Sequence, residues 1–389
     1  MVENRSTRRP GRLNVLCVVG ARPNFMKAAP LMRAFAALDS IDACLVHTGQ
    51  HYDAAMKTAF FEQLQIAEPD VDLGVGSGTH AVQTAEIMKR FEPVLDARRP
   101  DAVLVVGDVN STIACALVAA KKGMAVIHVE AGLRSFDRGM PEEINRVLTD
   151  QLSDRLYTTE RGALENLTRE GIDPDRVCFA GNVMIDTLLA HRARAPSART
   201  VLSEAGVAQE LHPREGFGLV TLHRPSNVDD PETLGSLLDT LATLAEDLPL
   251  IFPVHPRTRA RLEAAGLWER AAGSLLVLPP VDYLNMLGLM AGARLVLTDS
   301  GGVQEETTAL GVPCLTLREN TERPITVDQG TNTIVGRDAE LIRRVAAEVL
   351  RDGGKTGRIP ELWDGRAAER IARDLSAWLM QRAGSRSAE

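Results

Sequence analysis

Val15-Leu16-Cys17-Val18-Val19 is an unbroken apolar run of strand length, and it turns at once through Gly20-Ala21-Arg22-Pro23-Asn24-Phe25-Met26-Lys27 into an amphipathic stretch. A run apolar on every residue is a strand buried on both faces, and a helix directly after it is the start of a βαβ unit. The same alternation continues outward. Strands are predicted at Val15–Val19, Ala43–His47, Ala102–Val106, Ala125–Val129, Leu156–Thr158 and Val177–Ala180, with helices at Lys27–Leu38, Asp53–Leu64, Ala81–Ala97, Ser111–Lys121, Glu142–Ser153 and Arg161–Arg169. A second series places strands at Gly218–Thr221, Pro249–Pro253, Leu275–Leu278, Leu295–Thr298 and Pro313–Thr316. Its helices are Pro231–Ala245, Arg257–Ala265, Tyr283–Ala291 and Val303–Leu310, followed by Ala339–Arg351 and Arg366–Met380.

The fold class expected is therefore α/β, with two Rossmann-like doubly wound domains facing a cleft. The divisions read from the sequence are a disordered leading segment 1–13, a first domain 14–190, a linker 191–216 rich in Ala, Arg, Ser and Pro, and a second domain 217–365. The last helix, 366–389, is a candidate to cross back to the first domain. In such folds a ligand sits outside the carboxyl ends of the strands, so functional residues are sought just after them.

The 389 residues, 44% hydrophobic and 25% charged, have the balance of a soluble chain of two or three domains. With 44 basic and 52 acidic residues the net charge is −8. Such a chain has no general attraction for nucleic acid or an anionic membrane, and any phosphate must be met by a local site. The five cysteines lie in apolar stretches without zinc spacing and read as reduced core residues. No apolar run reaches membrane length and the first residues lack a leader core, so a cytoplasmic protein without a metal is expected. Gly353-Gly354-Lys355-Thr356 imitates a P-loop but follows a helix and lacks the earlier glycine. Gly74–Gly78 is not a dinucleotide fingerprint, and His47 with His51 straddles a strand end rather than sharing a helix face.

Six strand ends carry chemistry. Arg22 and Lys27 place two cations at a helix start, where dipole and amides already favour an anion. Ser300-Gly301-Gly302 enters a helix with the small residues that let backbone amides approach a phosphate, and Glu306 one turn on suits a ribose diol. Asp108 and Glu130 end neighbouring strands and Glu142 opens a helix, together a plausible acid/base set. His223 beside Arg224, and His255, repeat an imidazole at a strand end. Each has an ordinary alternative: Ser300 as a cap, Glu142 as a dipole partner, a lone histidine as structure.

Taken in order, Gly-Ala-Arg-Pro with Lys27, Thr48-Gly49-Gln50-His51, Val106-Gly107-Asp108, His128-Val129-Glu130-Ala131-Gly132-Leu133-Arg134, Pro141-Glu142-Glu143-Ile144-Asn145-Arg146, Gly181-Asn182, Thr221-Leu222-His223-Arg224, Pro253-Val254-His255-Pro256, Thr298 to Glu306 and Thr321-Glu322-Arg323-Pro324 resemble the UDP-N-acetylglucosamine 2-epimerases, over roughly residues 14 to 380. The resemblance implies a GT-B-like fold, a homodimer, UDP-GlcNAc and UDP as ligands, and no cofactor. Carried over by position, it implies that Arg22, His223, Ser300, Gly301, Gly302 and Arg323 hold the diphosphate and uridine. Glu306 would take the ribose, Met286 would lie near the uracil, and Lys27, Asp108, Glu130 and Glu142 would surround the sugar, with His223 also counted among the catalytic groups. A second UDP-sugar site would use Gln50, His51, Arg224 and His255. Tyr52-Asp53 stand there in place of a commoner basic turn, so weak or absent activation by a second UDP-sugar is expected. The departures at the main site are Ala21 and Asn24 in the opening motif and Val281 near the base.

The activity implied is inversion of C2 of UDP-N-acetylglucosamine, by loss of UDP to a 2-acetamidoglucal and its re-addition. The alternatives are the same reaction on a related diacetamido uronate, a UDP-sugar glycosyltransferase, and a nucleotide-sugar sensor.

Overall fold

The computed structural model describes residues 11–50, 63–211 and 216–386, with Arg22, Glu210 and Arg386 by backbone alone. The leading ten residues, His51 and most of the helix expected at Asp53–Leu64 lie outside the described residues. Contacts divide the chain into two compact units, one running to Thr187 and resuming at Glu361, the other Leu188–Pro360.

The first unit is built on a seven-stranded parallel sheet: β1 (Leu13–Val19), β2 (Ile41–His47), β3 (Val71–Asp72), β4 (Ala102–Val106), β5 (Ala125–Ala131), β6 (Arg155–Thr158) and β7 (Val177–Phe179), in the order β3-β2-β1-β4-β5-β6-β7. Leu13 thus already belongs to the sheet, inside the stretch read from the sequence as a disordered leader. Strands β1, β4 and β5 are buried almost throughout because helices cover both faces, and Leu16, Val18, Val46, Val103 and Val105 pack with Ile87 and Phe91 of the helix His80–Arg98. Each such side chain stabilises by roughly 1.5–3 kcal/mol. The last helix, Ala367–Arg386, packs against the helix Arg22–Ala36. Its first amides, those of Ala367 and Ala368, donate to the Asp186 carboxylate (3.1 and 2.7 Å), while Asp374 accepts from Arg155 and from the Tyr157 hydroxyl.

The second unit repeats the plan with six parallel strands: β8 (Gly218–Thr221), β9 (Leu250–Pro253), β10 (Leu276–Leu278), β11 (Leu295–Thr298), β12 (Cys314–Thr316) and β13 (Asn332–Ile334), ordered β10-β9-β8-β11-β12-β13. Residues 191–216, read as a linker, contain the helix Ala198–Glu204, capped by Ser197 and packed on the helix Tyr283–Gly292 of this unit. Two strands had no sequence signal: β3 has two residues, and β13 opens on Asn332.

In each sheet the chain winds one way from the first strand and the other way from the fourth. Strands β1 and β4, and β8 and β11, therefore flank the switch points where ligands bind in doubly wound sheets. Four of the six candidate strand ends belong to these strands.

Candidate functional site

In the first unit the turn after β1 is held by Asn24. Its Oδ1 accepts from the amides of Gly20 and Ala21 (3.2 and 3.0 Å), and its Nδ2 donates to the Val106 carbonyl at the end of β4 (2.9 Å). A carboxylate could not make that last bond, which gives the Asn at this position a reason. Arg22 opens the helix Arg22–Ala36, and Lys27 lies in its second turn, buried. Its Nζ reaches both Oε1 and Oε2 of Glu130 at 2.7 Å.

Glu130 is a charged residue in a strand otherwise sealed from water, and its backbone lies at φ +73°, in the left-handed region that a Glu adopts only at a cost. The pairing of β5 with β6 jumps from Val129 to Ala131, a bulge that turns Glu130 out of the regular alternation toward Lys27. Gly107, at φ +66°, leaves the space these groups use: a Cβ there would stand 2.9 Å from Lys27 Nζ and 3.9 Å from Glu130 Oε1.

Asp108 follows directly. Its Oδ2 accepts from Nε (3.2 Å) and Nη2 of Arg146, a buried guanidinium whose Nη1 goes to Glu143. Glu143 in turn accepts from the amides of Ser135 and Phe136 (3.0 and 2.8 Å), and Asn145 donates to the Asp108 carbonyl (2.9 Å). The helix Pro141–Leu152 is thereby fixed to the end of β4. Glu142, half-buried at the start of that helix, precedes Asn145 and Arg146 by three and four residues and shares their face. Behind these groups His128 spans the Asp150 carboxylate (2.6 Å) and the Gly107 carbonyl (2.8 Å), and Arg134 also pairs with Asp150 (2.7 Å). Burial works against the charge of Asp150, but His128 and Arg134 outweigh it and hold the carboxyl below its ordinary range.

In the second unit His223 lies just beyond β8, its Nδ1 2.8 Å from Asp299, the buried residue that follows β11. Asp299 accepts from the amides of His223 (3.0 Å) and Arg224 (2.9 Å) and from Asn227 Nδ2 (3.2 Å). Burial again opposes the charge, and the His223 ring and these donors keep the carboxyl below its usual value. The imidazole is oriented by Nδ1, leaving Nε2 for a ligand. The His255 ring lies 5.9 Å from that of His223, and His255 Nδ1 accepts from the Arg257 amide (3.2 Å), capping its own helix.

The Ser300 amide donates to Thr298 Oγ1 (3.0 Å), which takes it out of the anion cradle expected from all three residues. The amides of Gly301 and Gly302 precede the first intrahelical bond, Gln304 to the Ser300 carbonyl, and keep that capacity. Gly301 is buried against Glu322, whose Oε1 would be 2.4 Å from a Cβ at this position. Glu322 pairs with Arg318 (2.7 Å), and Arg323 with the buried Glu305 (2.9 Å). Gln304 Oε1 accepts from Thr321 (2.6 Å) and Asn332 (3.1 Å), which joins the Thr321–Pro324 turn to the same helix. Glu306 is buried and accepts from the Tyr283 hydroxyl (3.0 Å). Burial pushes its carboxyl up to about 8, the Tyr283 hydrogen bond pulls it down, and the neighbouring Glu305 adds to the rise. Met286, half-buried, shares the Tyr283 face of the helix Tyr283–Gly292.

The structure thus gathers Lys27, Asp108 and Glu130 around the β1/β4 switch point, with Glu142 on the helix fixed to it, and His223 and the Ser300–Glu306 segment around β8/β11. Gln50 is buried in the first unit, its Oε1 taken by the Ser111 hydroxyl (2.7 Å) and amide (3.1 Å). Arg224 lies 3.7 Å from Glu322 in the second. Sequence reasoning assigned no part to Arg146, Asp299, Tyr283 or Glu322. Arg146 stands four residues after Glu142, and Asp299 is an acid directly after a buried strand, signals that were available. Among the described residues, no group of three or more His, Cys, Asp or Glu could hold a metal, and no helix is long and apolar enough to cross a membrane.

Residues 33–376 match the family model described as UDP-N-acetylglucosamine 2-epimerase. The chain belongs to the UDP-N-acetylglucosamine 2-epimerase family. The enzyme of that name from Methanocaldococcus jannaschii is 41% identical over 363 residues, covering 92% of this chain and 98% of the relative. A UDP-2,3-diacetamido-2,3-dideoxy-D-glucuronate 2-epimerase from Pseudomonas aeruginosa is 40% identical over 371 residues, covering 94% and 99%. The crystal structure of the M. jannaschii UDP-GlcNAc 2-epimerase in complex with UDP-GlcNAc and UDP superposes with a TM-score of 0.86 at 40% identity, covering 94% of this chain and all of that one. The fold of this epimerase family member is GT-B-like, two Rossmann-like α/β units.

Proposed function

We propose that this chain converts UDP-N-acetylglucosamine to UDP-N-acetylmannosamine without cofactor, metal or acceptor. The observation that carries the reading is the pair of carboxylates ending β4 and β5, Asp108 gripped by Arg146 and Glu130 by Lys27. The hydrogen on C2 of a 2-acetamido sugar is not alpha to a carbonyl, so direct proton removal is prohibitively slow. Breaking the C1–O bond to UDP gives C1 cationic character and acidifies that hydrogen. A carboxylate then takes the proton and a 2-acetamidoglucal forms. Protonation of C2 from the other face, with UDP returning to C1, completes the inversion.

The site residues divide by these needs. Asp108, Glu130 and Glu142 would serve proton transfer, with Lys27 compensating Glu130. Arg22, Arg323, the Gly301–Gly302 amides and His223, with Nε2 available, would stabilise the departing diphosphate. Glu306 and Met286 would hold the nucleoside. A homodimer working in the cytoplasm accompanies this reading, supported by the family membership and by five unpaired, mostly buried cysteines. The Pseudomonas relative favours one second reading, the same inversion on a UDP-diacetamido uronate.

The test is incubation with UDP-N-acetylglucosamine alone and separation of the products. UDP-N-acetylmannosamine is expected. Turnover only with an added acceptor would make the chain a transferase, release of free N-acetylmannosamine a hydrolase, and turnover confined to the uronate would support the second reading.

A further inference from the structure

We propose that Tyr283 is a positioning residue that makes the nucleoside end of the site selective for a ribonucleotide over its 2′-deoxy counterpart. The inference rests on the reading of Glu306 as the partner of the ribose. Tyr283 is the first residue of its helix, fixed by the Asp282 cap, whose Oδ1 accepts from the Asn285 amide (2.9 Å). Its ring is buried and lies edge-on to His191, 6.3 Å between centroids at 64°, so the hydroxyl has one direction to point. That direction is Glu306 Oε1, 3.0 Å away.

The consequence follows from what a diol needs. A ribose offers two adjacent O–H donors, and a carboxylate accepts both only when its plane is fixed and it is ionised. Tyr283 supplies the first condition and assists the second. Its donation sets the carboxyl plane, and it favours the ionised form against burial and the Glu305 charge, which disfavour it. A phenylalanine would fill the same volume and retain the His191 contact while removing both effects. The loss should fall on the hydrogen bond that a 2′-deoxy ligand does not make, leaving contacts to base and diphosphate in place.

The experiment is calorimetric titration of the full-length protein with UDP and with 2′-deoxy-UDP. Wild type should prefer UDP by roughly tenfold to a hundredfold, the range of one hydrogen bond to a charged group. Y283F should lose most of that preference through weaker UDP binding, with 2′-deoxy-UDP nearly unchanged. E306Q should lose it as well, and the double variant should be no less selective than E306Q alone. Equal weakening toward both ligands in Y283F, with the ratio intact, would mark Tyr283 as packing only and overturn the proposal. If Y283F does not fold, a wild-type ratio near one, or a ratio unaffected by E306Q, overturns it equally. Failure of wild type to bind either nucleotide would instead sink the UDP reading itself.

Discussion

Gly107→Ala isolates the space around the Lys27–Glu130 pair. Gly107 and Gly123 have nearly the same backbone, φ +66° and +67°, and both lie in the first unit. An alanine at either pays the left-handed conformation, about 1 kcal/mol. At Gly123 nothing lies within 4 Å of the added Cβ, so the cost should stop there. At Gly107 the Cβ would meet Lys27 Nζ at 2.9 Å and Asn24 Nδ2 at 3.5 Å. Lysine can retreat, but only by leaving Glu130 in a buried strand, and stranding a buried charge costs about 3–5 kcal/mol when complete. Partial retreat places the total for G107A at roughly 2–4 kcal/mol, against ~1 for G123A. Urea unfolding of both variants measures the difference, and initial epimerisation rates measure the functional counterpart, expected to fall by at least ~10²-fold in G107A alone. Equal stability and equal rates in the two variants would refute the claim that Gly107 exists to accommodate this pair.

Asp108→Asn and Glu130→Gln should each lower turnover by about 10²–10⁴-fold while UDP still binds, because each removes a proton-transfer group and leaves the second unit untouched; paired rate and UDP-titration measurements check this. Asp150→Ala should destabilise the first unit by ~1–3 kcal/mol, since it leaves the buried His128 Nδ1 without its acceptor while Arg134 keeps Glu170, and chemical denaturation reads it. Glu306 gives a pH signature in the unliganded protein. Its folded value, about 8, lies above the ordinary 4.5, so the folded state retains a proton that the unfolded chain releases. The stability from neutral Glu306 is complete below about pH 4.5 and is lost as pH rises through about 8, up to ~5 kcal/mol at about 1.4 kcal/mol per pH unit. Thermal scans should find Glu306→Gln increasingly more stable than wild type from pH 5 to pH 8, and a constant difference would contradict the burial argument.

The strands that carry the site were legible because β1, β4, β5 and β11 are buried on both faces and must be written in apolar residues. That same rule marks Glu130, inside β5, as an exception. Position at a strand end exposed Asp108, Glu130 and His223 as candidates. What they are paired with was not legible, because pairing depends on elements distant in sequence: Arg146 returns to Asp108 from a helix 38 residues later, and Asp299 reaches His223 across 76. The left-handed backbone of Glu130 is likewise invisible, since Glu carries no preference for it and only the bulge against β6 imposes it. The Ser300 amide shows the converse limit. Its glycine-rich context suggested an open donor, whereas Thr298, two residues earlier, accepts its hydrogen.

The central claim is that C2 is inverted by elimination and re-addition, with the proton exchanged at the enzyme's own carboxylates. Proton NMR of UDP-N-acetylglucosamine incubated with the protein in D2O tests it most directly. The account predicts that the C2–H signal disappears as UDP-N-acetylmannosamine forms, that the product carries deuterium at C2, and that Asp108→Asn and Glu130→Gln suppress exchange and inversion together. Epimer formed with the original hydrogen retained at C2 would contradict it.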